Sequence, residues 1–185
     1  DSGDPVTAPR ARPPLSSVTI EEPPVPPALT FAKTPVWDHA DNEAQEAFAE
    51  LTDLLGDECD ELVLPEPFDH VVDMHRNIMN ADLAKNLDGY YEHGKDKLTD
   101  VLKSMVEHGQ KVTAVDYNNA VDMRETLNTG LDGVFDRFDA IITPASTGEA
   151  PAGLGATGSP IFNTLWTYLG TPAVTLPLME GPNGL

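Results

Sequence analysis

The sequence predicts an α/β fold, part of a mixed, mostly parallel sheet covered by helices. Three observations predict it. Between residues 28 and 65 a short strand-like run, an amphipathic helix and a second strand-like run follow one another with close connections. That is the order of a βαβ unit, which joins parallel strands through a right-handed crossover. A long helix with one apolar stripe then precedes a continuous apolar run at 139–144, the pattern of a strand covered on both faces. Finally, 185 residues with 40% apolar side chains hold enough material for one ordinary core.

The elements are justified in chain order. Residues 1–27 carry eight prolines (5, 9, 13, 14, 23, 24, 26 and 27), too many fixed φ angles and missing donors for a helix or a central strand. They are expected to form an extended connector, leaving residues 28–185 as the folded part. Ala28–Ala32 reads as a strand closed by Lys33-Thr34-Pro35. Asn42–Leu55 reads as a helix: Ala44, Ala47, Phe48, Leu51, Leu54 and Leu55 keep the 3.6-residue period, Asp41 is the N-cap and Gly56 the stop. Glu61–Pro65 is expected to be the second strand. Helices are predicted from about Phe68 to Tyr91 and from Asp96 to Val106, the latter ended by Gly109. Thr113 with Asp116 is a close variant of the capping box, and Tyr117, Ala120, Arg124, Leu127, Leu131 and Val134 form the stripe of the helix it opens. Asp139–Pro144 is a third strand, 145–159 a glycine-rich loop, Ile161–Leu169 a short helix and Ala173–Leu176 a last strand. Gly181-Pro182-Asn183-Gly184 is a turn signal, after which another strand is expected. With Asp1 in place of an initiator Met, the chain is expected to be an internal piece of a longer one.

Composition narrows the function. Acidic residues outnumber basic ones 31 to 11, a net charge of −20, which repels phosphate and offers little counterion release, so a nucleic-acid partner is not expected. The same charge disfavours anionic membranes, and no window approaches the roughly 18–20 apolar residues of a spanning helix. Cys59 is the sole cysteine, so neither an intrachain disulfide nor a thiolate metal site can form. A soluble, cytoplasmic chain is the expectation.

Several catalytic signatures are missing. There is no Gly-x-Ser-x-Gly and no P-loop. His70 and His75, with Asp73 between them, stand about 140° apart on a helix, which reads as a solvated face rather than a metal site. Arg124 on its apolar stripe is open to two readings, an anion clamp or a stem packed on the core with its head paired to a carboxylate. Ser159 precedes a proline without a local base, as a helix N-cap does. The last fifty residues say more. Thr143 ends a buried strand, and ligands in open α/β sheets bind beyond the carboxyl ends of strands. Phe162, Asn163 and Trp166 lie on the helix that follows, and could give a flat apolar wall with hydrogen-bonding partners. The alternative is that Phe162 and Trp166, at i and i+4, are core.

Phe138-Asp139-Ala140-Ile141-Ile142-Thr143-Pro144, followed by the run from Thr157 through Asn163-Thr164-Leu165-Trp166 and Gly170-Thr171-Pro172-Ala173-Val174 to Pro177, resembles the C-terminal half of an amidase signature family enzyme. Thr34-Pro35-Val36-Trp37-Asp38, Leu64-Pro65-Glu66-Pro67-Phe68 and His75-Arg76-Asn77-Ile78-Met79 with Asp82 are similar to that family's upstream text. The resemblance covers the chain after its proline-rich start, with one departure: Ser159 stands where relatives often have Asp after Thr-Gly.

The resemblance implies an incomplete amidase signature fold from an enzyme cleaving the C–N bond of a small carboxamide. The family's catalytic set is a Ser, a second Ser on a cis peptide and a Lys, with Gly-Gly-Ser-Ser-Gly-Gly-Ser holding part of it. None of that set is in this chain, where Ser16-Ser17 is the only Ser-Ser pair and lies among prolines. Thr143, Phe162, Asn163 and Trp166 would line the substrate cleft, with no catalytic residue here and no metal or organic cofactor implied. A small-molecule amide is the expected partner, and homodimerisation of the full-length enzyme is one arrangement the resemblance allows. Two alternatives stand beside it, the amidase subunit of a tRNA-dependent amidotransferase and a non-catalytic scaffold keeping this half of the fold.

Overall fold

The computed structural model describes residues 25–184; most of the expected connector, with Ser16-Ser17, lies outside the described residues, as does Leu185. The element order is β1 (Leu29–Ala32), α1 (Asn42–Leu55), β2 (Cys59–Leu62), α2 (Val71–Asn86), α3 (Asp88–Gly94), α4 (Asp100–Gly109), α5 (Ala114–Phe135), β3 (Ala140–Ile142) and α6 (Ile161–Leu169). Short 3-10 turns at Trp37–His39 and Glu66–His70 lead into α1 and α2.

The sheet has the order β2-β1-β3, all parallel. β1 pairs residue for residue with β2, Leu29 opposite Cys59 and Ala32 opposite Leu62. On its other edge Leu29 lies opposite Ala140 and Phe31 opposite Ile142. Side chains alternate between the two faces. Phe31 faces α1, stacking on Phe48 at 5.5 Å with Trp37 edge-on at 5.4 Å. Thr30, Ala32, Leu62 and Ile141 share the opposite face. There α2, α5 and α6 bring together a core of Leu64, Phe68, Val71, Leu127, Leu131, Leu165, Trp166, Tyr168 and Leu169, against which Leu62 and Ile141 pack. The sheet is therefore wound on both faces, as the α/β reading requires.

Where the sequence carries a cap, the helix starts where it should. The Asp41 carboxylate accepts from the Ala44 N–H at 2.9 Å. The Thr113 hydroxyl accepts from the Asp116 N–H at 3.1 Å and donates to the Asp116 carboxylate at 2.7 Å. Gly170 ends α6 in the left-handed conformation, φ 73°, which glycine adopts without a Cβ penalty.

Other expectations are corrected. The second strand is Cys59–Leu62, not Glu61–Pro65: Pro65 cannot donate to a ladder, Val63 is 79% exposed, and Leu64 leaves the strand to enter the core. The helix expected over 68–91 is a 3-10 turn followed by two helices that break at Leu87, and the next begins at Asp100, behind a Thr99 cap. β3 spans only Ala140–Ile142, with Ala140 exposed and both isoleucines half-buried. Ala173–Leu176 forms no strand among the described residues; Val174 is 85% and Leu176 64% exposed, and an extended run without a ladder partner leaves its backbone to water. Among the described residues no helix is long and apolar enough to cross a membrane.

A close helix crossing sets a stability test. A Cβ on Gly109 would lie 1.9 Å from the Asn80 carbonyl oxygen and 2.9 Å from the Ala84 Cβ, so α4 meets α2 backbone to backbone. Gly109→Ala should destabilise the chain by about 1–3 kcal/mol, the usual cost of overpacking. Gly133, within α5, has nothing within 4 Å of the same position, and Gly133→Ala should instead stabilise by about 0.4–1 kcal/mol. Urea denaturation of both variants checks this; equal midpoints would show that the crossing tolerates a methyl group.

Candidate functional site

A sheet of order 2-1-3 changes direction at β1. The chain leaves β1 for one edge, then returns past it to the other, so the connections from β1 and β3 diverge at their carboxyl ends, the edge at which open α/β sheets hold ligands. Thr34 follows β1 and Thr143 follows β3 at that edge.

Two contacts draw the two loops together and a third ties α6 to the second loop. The Asp41 N–H donates to the Thr147 carbonyl at 2.8 Å. Gly148 sits so close to the Asp41 carboxylate that a Cβ would come within 1.6 Å of an oxygen. Asn163, in the first turn of α6, donates from Nδ2 to the Ala145 carbonyl at 3.0 Å. The carboxylate that caps α1 thus also buttresses the loop after β3.

The residues expected to line the cleft are placed as follows. Thr143 is half-buried, and its Oγ1 is shielded from solvent without a hydrogen-bond partner. Phe162 is fully buried, packing on Val36 and Ala40 of the loop after β1; burying a ring of that size contributes about 2–3 kcal/mol. Asn163 is exposed and held by its bond to Ala145. Trp166 is 8% exposed, packed within the core of α2, α5 and α6, yet its Nε1 has no partner. Phe162, Leu165 and Trp166 therefore all point inward, and Asn163 alone of the helix's named residues reaches the loop surface. Sequence reasoning missed Thr34, whose Oγ1 is also buried and unpartnered in a side chain 3% exposed. The signal was the Thr-Pro step closing β1, quoted for resemblance and not for chemistry.

Other candidates resolve plainly. Ser159 is exposed and its Oγ accepts from the Ile161 N–H at 3.4 Å, while the N-cap position itself is Pro160. Arg124 is exposed and forms no ion pair among the described residues, so its head is not paired to a carboxylate as one of the two readings had it; its charge bears instead on the Tyr117 and Tyr168 hydroxyls. Tyr168 donates to the Ala120 carbonyl, and burial holds its hydroxyl above the ordinary phenol range. Burial, then the neighbouring Asp60 carboxylate, pushes the Cys59 thiol up, away from a reactive thiolate. Asp73 pairs with Arg76 at 3.1 Å, and no group of three or more His, Cys, Asp or Glu among the described residues could hold a metal ion.

No family model matches the chain, and no curated protein matches it. Solved structures are similar in fold. An amidase superposes with a TM-score of 0.71 at 21% identity, over 85% of this chain and 39% of its own. The 6-aminohexanoate cyclic dimer hydrolase complexed with substrate gives 0.72 at 21% identity, over 100% of this chain and 44% of its own. An inhibitor-bound vestigial protein complex, described for the evolutionary origins of an s-triazine catabolic enzyme, gives 0.70 at 17% identity, over 91% and 38%. The chain thus spans about two fifths of the length of each.

His75 supplies a pH test. Half-buried on α2, its imidazole is held below the ordinary value of 6.5 because burial penalises the cation. The unfolded chain then binds the proton more readily, so this contribution to stability is complete above about pH 6.5 and is lost as pH falls below it. The melting temperature should drop on going from about pH 7 to about pH 5, and His75→Gln should flatten that slope. Parallel slopes for the two proteins would assign the acid sensitivity to other groups.

Proposed function

We propose that this chain is the substrate-side portion of an amide hydrolase that cleaves the C–N bond of a small carboxamide. The observation that carries the reading is the likeness of the chain's fold to those of the amidase and the cyclic dimer hydrolase. It agrees with the family resemblance of the Thr143 and Phe162–Trp166 segments.

In this reading the nucleophile and base come from outside these 185 residues, since no Gly-Gly-Ser-Ser-Gly-Gly-Ser run is present. A Ser oxygen attacks the amide carbonyl, a Lys takes its proton through a bridging Ser, and backbone N–H groups hold the oxyanion. The amine leaves with a proton, and water releases the acid from the acyl-enzyme. This chain supplies one wall of the cleft. Thr143 stands at the strand end, Asn163 fixes the loop that follows it, and Phe162 and Trp166 set the depth of the floor from beneath. Orientation of this kind carries a large share of catalysis, because a misplacement of about 1 Å can cost 100-fold in rate. The net charge of −20 favours a small neutral substrate over a nucleic acid.

The reading is tested by comparing the full-length parent with this chain alone on short-chain carboxamides. The parent should release ammonia or amine, and the isolated chain should not exceed background. A parent inert towards every amide would overturn the reading, as would turnover by the isolated chain that survives Ser159→Ala. Within an active parent, Asn163→Ala removes one exposed hydrogen bond. It should lower stability by only about 0.5–1.5 kcal/mol while reducing kcat/KM at least about tenfold through loss of loop position. Activity loss fully explained by the melting curve would make Asn163 a scaffold residue.

A further inference from the structure

α1 does not close over all of the strand pair it covers. Phe48 stacks on Phe31, but the neighbouring stripe of the helix, Gln45, Ala49, Thr52 and Asp53, is small or polar. Those side chains and the α1 face of β1 and β2 line a cavity of about 400 Å³. Small-molecule sites run from about 300 to 1,000 Å³. Ala49 helps to keep the cavity open, since its single methyl group fills little of the space.

The cavity has a direction. α1 returns antiparallel to the strands, and only Gly56-Asp57-Glu58 separate it from β2. Asp53 therefore stands with Cys59 at the amino end of the sheet, Trp37 stands at the carboxyl end, and Phe31 and Ala49 lie between. The middle is apolar: the rings of Phe31 and Trp37 meet at 81° with centroids 5.4 Å apart. Cys59 shares the α1 face with Phe31, because Leu29 pairs with Cys59 and Phe31 with Glu61.

The polar groups are arranged for a cation. The Asp53 carboxylate has no hydrogen bond or ion pair among the described residues. It stands in the last turn of α1, which carries no basic residue, and there the helix dipole presents its negative end and a cation is the stabilising charge. The donors from α1 are turned to the backbone, Gln45 Nε2 to the Ala40 carbonyl and the Thr52 hydroxyl to the Ala49 carbonyl, both at 2.9 Å. Lys33 is paired with Glu61 at 3.1 Å. An anion would thus meet an unpaired carboxylate. A bare metal ion is not served either, since no group of three or more His, Cys, Asp or Glu among the described residues could hold one.

We propose that this cavity binds a primary alkylammonium ion, its N–H donors on the Asp53 carboxylate and its alkyl stem along Phe31 and Ala49 toward Trp37. The stem replaces water on an aromatic surface, and the field of a chain at −20 draws cations toward it. The recognition needs no hydrolase chemistry and stands whether or not the parent cleaves an amide.

Cys59 reports occupancy, because it lines the cavity and is only half-buried. In the full-length parent protein, alkylation of Cys59 by N-ethylmaleimide is followed by peptide mapping at constant ionic strength. Hexylammonium should slow it saturably, and 1-hexanol, the uncharged analogue, should not. Asp53→Asn should raise the half-protecting concentration at least about fivefold, the loss expected of one charge-assisted hydrogen bond. Ala49→Leu, which fills the space with a good helix former, should abolish protection with α-helical circular dichroism unchanged. Equal protection by 1-hexanol overturns the proposal, as does protection that survives both substitutions or is matched by sodium chloride. No protection by hexylammonium overturns it as well. So does a Cys59 inert without ligand, which would show the cavity closed in the parent.

Discussion

The structure depends on the position of β1. A four-residue strand has little stability of its own, yet β1 is hydrogen-bonded on both edges and covered on both faces. Its start is clamped to β3 twice, by the Asp139 N–H to the Ala28 carbonyl at 2.8 Å and by the Ala28 N–H to the Asp139 carboxylate at 2.9 Å. Thr30 adds a bond from its hydroxyl to the Asp60 carbonyl at 2.9 Å on the other side. Because all three strands run parallel, their carboxyl ends share one edge, and the segments that follow β1 and β3 meet there. A register slip of one residue would turn Phe31 toward the α6 side and Thr30 toward α1, exchanging the contents of both cores.

The two faces of that strand are held unequally. On one side three helices converge on an aliphatic and aromatic core, and α6 sends Phe162, Leu165, Trp166, Tyr168 and Leu169 into buried positions. On the other side α1 buries none of its residues fully; Phe31, Trp37 and Phe48 hold it by ring contacts, which prefer edge-on or offset geometry. The Asp41 cap reinforces this thinner side, and the same carboxylate supports Gly148. Local helix stability and the position of the loop after β3 are thereby coupled through a single side chain.

Much of this was legible in the sequence wherever a local group decides the outcome. Asn42–Leu55 is bounded as its Asp41 cap and its periodicity indicate, Ile161–Leu169 has the expected bounds although Pro160 and not Ser159 is its N-cap, and Thr113 opens α5. Strands were less legible, because pairing is decided by a partner far along the chain. Glu61–Pro65 is the more apolar text, but Cys59–Leu62 is what matches β1 in register. Ala173–Leu176 has strand composition and no ladder. For the site, the ends of β1 and β3 could be located, whereas the inward turn of Trp166 and the unpartnered hydroxyl of Thr34 are tertiary facts. A threonine before a proline reads as punctuation until its neighbours are known.

The loop after β3 is anchored at its beginning and at its end, with little holding it between. Ala145, Thr147 and Gly148 are tied to Asn163 and Asp41, and α6 begins at Ile161, whereas residues 150–160 are all exposed. Loop-closure entropy rises only by about 0.6 kcal/mol for each doubling of length, and exposed tips of small residues are where insertions and proteolytic cuts are tolerated. Descendants of this gene can therefore drift in length across 150–160 at small thermodynamic cost, whereas a single added residue between Thr143 and Gly148 would pull the buttress from under α1. The loop after β3 thus carries its own boundary between text free to vary and text that is not.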